Sequence, residues 1–119
     1  MSISGAESER ELENKRQFKR YDVDVRLRAT VRADGILRSV YGRGTDLSIG
    51  GMSAFLAIDI PERNTIDIDV TLPYASQPLK LKACICNRSG YKYGLKFLDI
   101  TSAQQMLIER CCSALEFTQ

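Results

Sequence analysis

The sequence predicts a mainly β fold, a six-stranded antiparallel barrel followed by one C-terminal α-helix. Three observations point there. Apolar and polar residues alternate with period two in segment after segment between Tyr21 and Phe97, the pattern of strands with one buried and one wet face. Short breaks rich in Gly, Pro, Asn and Asp separate those segments, leaving no room for the crossover helices that a parallel sheet needs. After Thr101 the apolar spacing becomes helical. Closing the sheet removes its edges, which favours a barrel over an open sheet.

The first strand begins at Tyr21. Val23, Val25, Leu27, Ala29 and Val31 alternate with Asp24, Arg26, Arg28, Thr30 and Arg32. Ala33-Asp34-Gly35 carries the Asp-Gly hairpin signature. A second strand runs from Ile36 to about Leu47, with Gly42 and Gly44 marking a bend or a close backbone approach. Ser48-Ile49-Gly50-Gly51 is a tight turn, and Met52 to Ala57 a third strand. A loop over 61–64 precedes strand four, where Ile66, Ile68, Val70 and Leu72 alternate with polar residues. Residues 73–78 form a second loop. Leu79, Leu81, Ala83 and Ile85 mark strand five, Asn87-Arg88-Ser89-Gly90 a turn, and Tyr91 to Phe97 strand six. Thr101 and Gln104 fit a capping box. The helix then places Leu107, Ile108, Cys111, Ala114 and Leu115 at helical spacing to about Phe117, and is expected to cover one barrel opening.

The chain has 119 residues and 13.4 kDa, which suits one core. Its net charge is only +2, but the charge is unevenly spread. Residues 1–14 carry a net −3 and read as a flexible acidic leader. Residues 15–43 carry a net +6, and 44–119 a net −1. The domain is therefore assigned to 15–119, with a local cationic field suited to a phosphate-bearing ligand. Histidine is absent, which removes the usual general base and any His-activated nucleophile. No enzyme is expected. Cys84, Cys86, Cys111 and Cys112 have the wrong spacing for a zinc site. They read as reduced, buried or half-buried fillers. No metal or other cofactor is expected. The longest apolar run, Ala54 to Ile58, cannot cross a bilayer, so a cytoplasmic protein without membrane insertion is expected.

Two short pieces can carry binding chemistry. Lys15-Arg16-Gln17-Phe18-Lys19-Arg20 packs four cations around one aromatic just before strand one. Guanidinium groups fork onto phosphate oxygens or the O6/N7 edge of guanine. Equally, this piece reads as a polar lead-in anchored by Phe18. The second piece is Thr45-Asp46-Leu47-Ser48-Ile49-Gly50-Gly51. Asp46 offers an acceptor matched to the N1–H and N2–H donors of guanine, and Ser48 a hydroxyl. Gly50 and Gly51 permit positive φ and close ligand approach, although Asx and Ser turns need no ligand. Asp67 and Asp69 share a solvated strand face, away from the apolar positions.

Together the pieces resemble the PilZ domain family. They read Arg16-Gln17-Phe18-Lys19-Arg20, Asp46-Leu47-Ser48-Ile49-Gly50-Gly51 and Tyr93-Gly94-Leu95-Lys96-Phe97-Leu98-Asp99. The resemblance spans about residues 15 to 117 and implies a PilZ-type barrel that binds the bacterial second messenger cyclic di-GMP. It implies that Arg16 and Arg20 wrap over the ligand, that Asp46 and Ser48 hold guanine, and that Gly51 lets it approach. Lys15 and Lys19 are accessory cations, expected to let the site take two ligand molecules. The expected mechanism is a stand-alone receptor whose arginine segment is ordered by ligand, with output through an unidentified protein partner. The alternatives are a PilZ-fold interaction domain without nucleotide binding, and a barrel binding single-stranded nucleic acid through Arg26, Arg28 and Arg32. The nucleic-acid reading is the weaker, because interleaved aromatics are not evident beside those arginines.

Overall fold

The computed structural model describes residues 18–119. Strand β1 (Tyr21–Ala33) turns into β2 (Ile36–Leu47) through Asp34 and Gly35. Both turn residues have positive φ, 53° and 75°, the backbone that a two-residue I′-type hairpin demands. From Val25↔Gly44 to Ala33↔Ile36 the two strands pair without interruption. Val25, Leu27, Ala29 and Val31 point inward and are buried, while Arg26 and Arg28 stay exposed. The alternation read from the sequence is the alternation of the fold.

The remaining strands are β3 (Gly51–Leu56), β4 (Thr65–Val70), β5 (Leu79–Ser89) and β6 (Lys92–Leu98), followed by helix α1 (Ser102–Thr118). Every pairing is antiparallel, and the sheet closes in the order β1-β2-β3-β6-β5-β4. The chain does not simply meander: β3 pairs with β6, and β4 returns to β1. The closing seam is short, Leu27–Thr30 against Asp67–Val70. The hairpin tip therefore reaches past β4, which leaves Ile36 and Leu37 exposed. Asp67 and Asp69 face outward as expected, and Arg28 Nη2 donates to Asp69 Oδ2 at 2.8 Å.

The expected turn at Asn87-Arg88-Ser89-Gly90 is corrected. Strand β5 continues through Ser89, and the turn lies at Gly90 and Tyr91, with Gly90 at φ +62°. Asn and Ser are poor strand formers, but both sit on the wet side of the sheet, where propensity yields to pairing. Tyr93 is fully buried. Its hydroxyl donates to Ile58 O at 2.5 Å and accepts the Ile60 N–H at 2.9 Å, which ties down the loop before β4.

Helix α1 starts at the capping box read from the sequence. Thr101 Oγ1 accepts the Gln104 N–H at 3.1 Å, and Gln104 Oε1 accepts the Thr101 N–H at 3.0 Å. Ile108, Cys111, Cys112 and Leu115 form its buried stripe and join the barrel core. Leu107 and Phe117 are exposed instead. At the far end Gln119 pairs with the backbone of Asp22, its Oε1 accepting the N–H at 3.0 Å and its Nε2 donating to the carbonyl at 2.6 Å. No described helix is long and apolar enough to cross a membrane.

Candidate ligand-binding site

The turn between β2 and β3 is built by Ser48. Its N–H donates to Gly51 O at 2.8 Å, and its Oγ accepts the Gly51 N–H at 3.2 Å. One residue earlier the β2–β3 register shifts between Gly44 and Asp46. Such a bulge re-aims a side chain beside a strand end. Asp46 Oδ1 accepts the Ser53 N–H at 3.1 Å across the shift. That bond uses one lobe of the carboxylate and leaves acceptor capacity for a second donor.

Gly50 and Gly51 need a correction. Neither has positive φ. Their glycine requirement is steric. A Cβ on Gly51 would stand 2.0 Å from Leu95 O, and one on Gly50 would stand 3.1 Å from the Phe18 ring. Gly51 thus lets β3 lie against β6, and Gly50 seats the aromatic of the lead-in.

Phe18, Arg20, Asp46, Ser48, Gly50 and Gly51 line one cavity of about 430 Å³. Two pieces 26 residues apart, Arg20 and Asp46, thus meet at a single place. Among the described residues no ion pair involves Arg20. Lys15 and Arg16 lie outside the described residues, as does the leader assigned to 1–14.

Lys19 does not join this group. Phe18 and Arg20 face the cavity, and Lys19 between them turns the other way, its Nζ 3.1 Å from Glu116 Oε1 of α1 and 5.4 Å from the Tyr21 ring centre. Extended chain sends successive side chains to opposite sides, so a cation inside a six-residue cluster need not share its neighbours' direction. The Tyr21 hydroxyl and the Lys19 ammonium hold the Glu116 carboxyl below its usual range.

The far wall comes from β5 and β6 and was missed in the motif reading. Cys86, Asn87, Gly94, Leu95 and Lys96 form it, and Met52 and Ser53 of β3 complete the lining. A second register shift, between Ile85 and Asn87, places Asn87 opposite Gly94. A Cβ on Gly94 would stand 2.6 Å from Asn87 Oδ1, so the glycine gives the Asn side chain its room. Lys96 is the one signal that could have been read, a cation inside the Tyr93–Asp99 motif. Asn87 could not have been, since it was assigned to a turn.

The cysteines are all free. Cys111 and Cys112 are buried, and burial raises both thiol pKa values, that of Cys112 to about 11. Cys86 corrects the filler expectation, because it is exposed at the cavity. Among the described residues no group of three His, Cys, Asp or Glu side chains could hold a metal ion.

The arrangement offers forked cation, carboxylate acceptor, hydroxyl, amide and ammonium around an aromatic-floored cavity. That set is chemically matched to a ligand with both anionic and planar hydrogen-bonding groups.

Solved structures share this architecture. The PilZ domain of YcgR from Escherichia coli, a structure with c-di-GMP, superposes with TM-score 0.68 at 21% identity, over 87% of this chain and 93% of that one. The PilZ domain of CeSA from a cellulose-synthesizing bacterium gives 0.64 at 21% identity, over 82% and 98%. The Bacillus subtilis inhibitor of motility MotI/DgrA gives 0.68 at 13% identity, over 87% of this chain and 52% of that one. At these identities the likeness speaks for the fold. No curated protein matches the sequence. The PilZ domain family model matches residues 14–114, and with that match the chain belongs to the PilZ domain family.

Proposed function

We propose that this chain binds cyclic di-GMP in the cavity between the lead-in and the β3–β6–β5 wall, and that it is a receptor and not an enzyme. One observation carries the reading: Arg20 of the first motif and Asp46, Ser48 and Gly51 of the second line the same cavity. Arg16 and Arg20 would fork onto phosphate oxygens and guanine O6/N7. The unused lobe of Asp46 would accept from guanine N1–H and N2–H. Lys96 adds a cation on the opposite wall, where it would face the second phosphate. The c-di-GMP in the YcgR PilZ domain structure supports the choice of ligand.

Binding would fix the arginine segment against the barrel and so change the surface offered to a protein partner, an ordering switch. With Lys19 committed to Glu116, acceptance of a second ligand molecule rests on Lys15 and Lys96. The deciding experiment is calorimetric titration with cyclic di-GMP. Saturable binding that Arg20→Ala weakens by about one to two orders of magnitude is expected. Absence of heat and of any competing displacement would overturn the reading in favour of a non-binding interaction domain. The same titration reads the ratio, and one ligand per chain would remove the two-molecule proposal. Slower trypsin cleavage within Lys15–Arg20 on ligand addition would support the ordering step, and an unchanged rate would sink it.

A further inference from the structure

The barrel exterior carries a second organised surface. Arg26 pairs with Arg43, Arg43 with Phe55, and Phe55 with Lys92. These four residues stand in direct register across β1, β2, β3 and β6, all outward and exposed. Tyr41 lies beside the row, with the Arg26 guanidinium 5.1 Å from its ring centre. Lys92 Nζ lies 6.0 Å from the Phe55 ring centre. Tyr91 closes a groove of about 410 Å³ that Arg26, Tyr41, Arg43 and Phe55 also line. Tyr41, Phe55 and Tyr91 are 64%, 50% and 52% exposed, too much aromatic surface in one place for scattered chance. The aromatics judged missing beside Arg26 are therefore present, supplied by neighbouring strands.

We propose that this Arg26–Arg43–Phe55–Lys92 row, flanked by Tyr41 and Tyr91, is the docking surface for an acidic segment of a partner protein. Arg, Tyr and Phe are the side chains enriched at the cores of protein interfaces. The Arg26 guanidinium is held over the Tyr41 ring and that of Arg43 by Asp24, so both are presented to a partner with little further ordering cost. A protein is favoured over nucleic acid because the positive charge of the row is partly met within it, Asp24 pairing with Arg43. The net charge that remains is thin for a continuous phosphate backbone and suits a segment whose carboxylates alternate with aromatic or apolar residues. The row also adjoins the cavity. Phe55 and Lys92 are two residues along from Ser53 and Gly94, which line it, or about 7 Å on the same strands. A ligand there would border the docked segment, although the surface stands without the cyclic di-GMP reading.

The test uses the full chain and two fluorescein-labelled probes, a short peptide alternating Glu and Tyr and an oligothymidine of similar length. Anisotropy should show the peptide binding more tightly than the oligonucleotide. Arg26→Glu with Phe55→Ser should weaken the peptide about tenfold or more, and Arg43→Glu alone should weaken it measurably. Thermal melts of all variants should match the parent, a folding control that does not depend on the ligand of the cavity. Tighter binding of the oligonucleotide would overturn the proposal in favour of nucleic acid. Peptide binding that is absent, or indifferent to both sets of substitutions, would overturn it outright.

Discussion

The two faces just described share strands β3 and β6 but are built by opposite means. The docking row is made of regular ladder, with four residues in register and no shift between them. The cavity is made of exceptions. The three register shifts of the barrel fall at Asp22/Val25, Gly44/Asp46 and Ile85/Asn87, and Asp46 and Asn87 line the cavity. Regular pairing spaces side chains evenly and suits an extended partner. Bulges break that spacing and let polar side chains from three strands converge on one point.

The strongest way to break the cavity side is at Gly51. Gly51→Ala would drive a Cβ to 2.0 Å from Leu95 O. The β3–β6 ladder would have to part, at a cost of about 3 kcal/mol or more. Chemical denaturation should show the loss, and a variant as stable as the parent would mean that the close approach is not required. Gly50→Ala sharpens the contrast, because its Cβ meets only the Phe18 ring, which can shift. It should cost under about 1 kcal/mol.

Arg20→Ala should cost ligand binding about 1.5–3 kcal/mol, the worth of a charge-assisted hydrogen bond, while leaving the melting temperature unchanged, since Arg20 is exposed. Asp46 is less clean, because Asp46→Ala also removes the acceptor for the Ser53 N–H. Asp46→Asn keeps an oxygen to accept that bond but removes the charge and turns the second acceptor oxygen into an N–H donor. It should preserve stability yet narrow the preference for cyclic di-GMP over cyclic di-AMP. An unchanged preference in competition titration would leave Asp46 a turn residue only.

Smallest is the pH response of the cluster that draws Lys19 from the cavity. Glu116 has its carboxyl held below the usual 4.5. Its contribution to stability is present above 4.5 and lost as pH falls through the lower folded value. The neighbouring Glu116 carboxylate pushes the Tyr21 hydroxyl up from 10.0 to about 12. That contribution is complete below 10 and lost as pH rises toward 12. Melts across pH should show Glu116→Gln flattening the acid limb and Tyr21→Phe the alkaline one. Unaltered limbs would detach the cluster from folding.

The same comparison explains what the sequence could convey. Strand β1 was legible residue by residue, because period two and the Asp-Gly hairpin are local signals. The helix start was legible through Thr101 and Gln104. Strand order was not, since the pairing of β3 with β6 is a long-range event without a local mark. Asn87 was hidden for a related reason: a bulge is defined by the partner strand, and its residues look like a turn when read alone. The direction of Lys19 depended on Glu116, 97 residues away. The motif residues from Arg20 to Gly51 could be named, but the purpose of Gly51 could not, because Leu95 sets it.

The Gln119–Asp22 contact has a consequence for how such a domain can be carried. Beyond Leu27 toward its start, β1 has no strand on the β4 side. The Gln119 side-chain amide stands there as a one-residue substitute for a strand, making both hydrogen bonds to Asp22. Chain entry and chain exit are thereby brought to one point of the barrel. A domain with that geometry can be spliced into a surface loop of another protein without prying the host loop apart. A short linker from Gln119 back to the lead-in, with the chain reopened at Asp34-Gly35, should give a circular permutant of the same barrel.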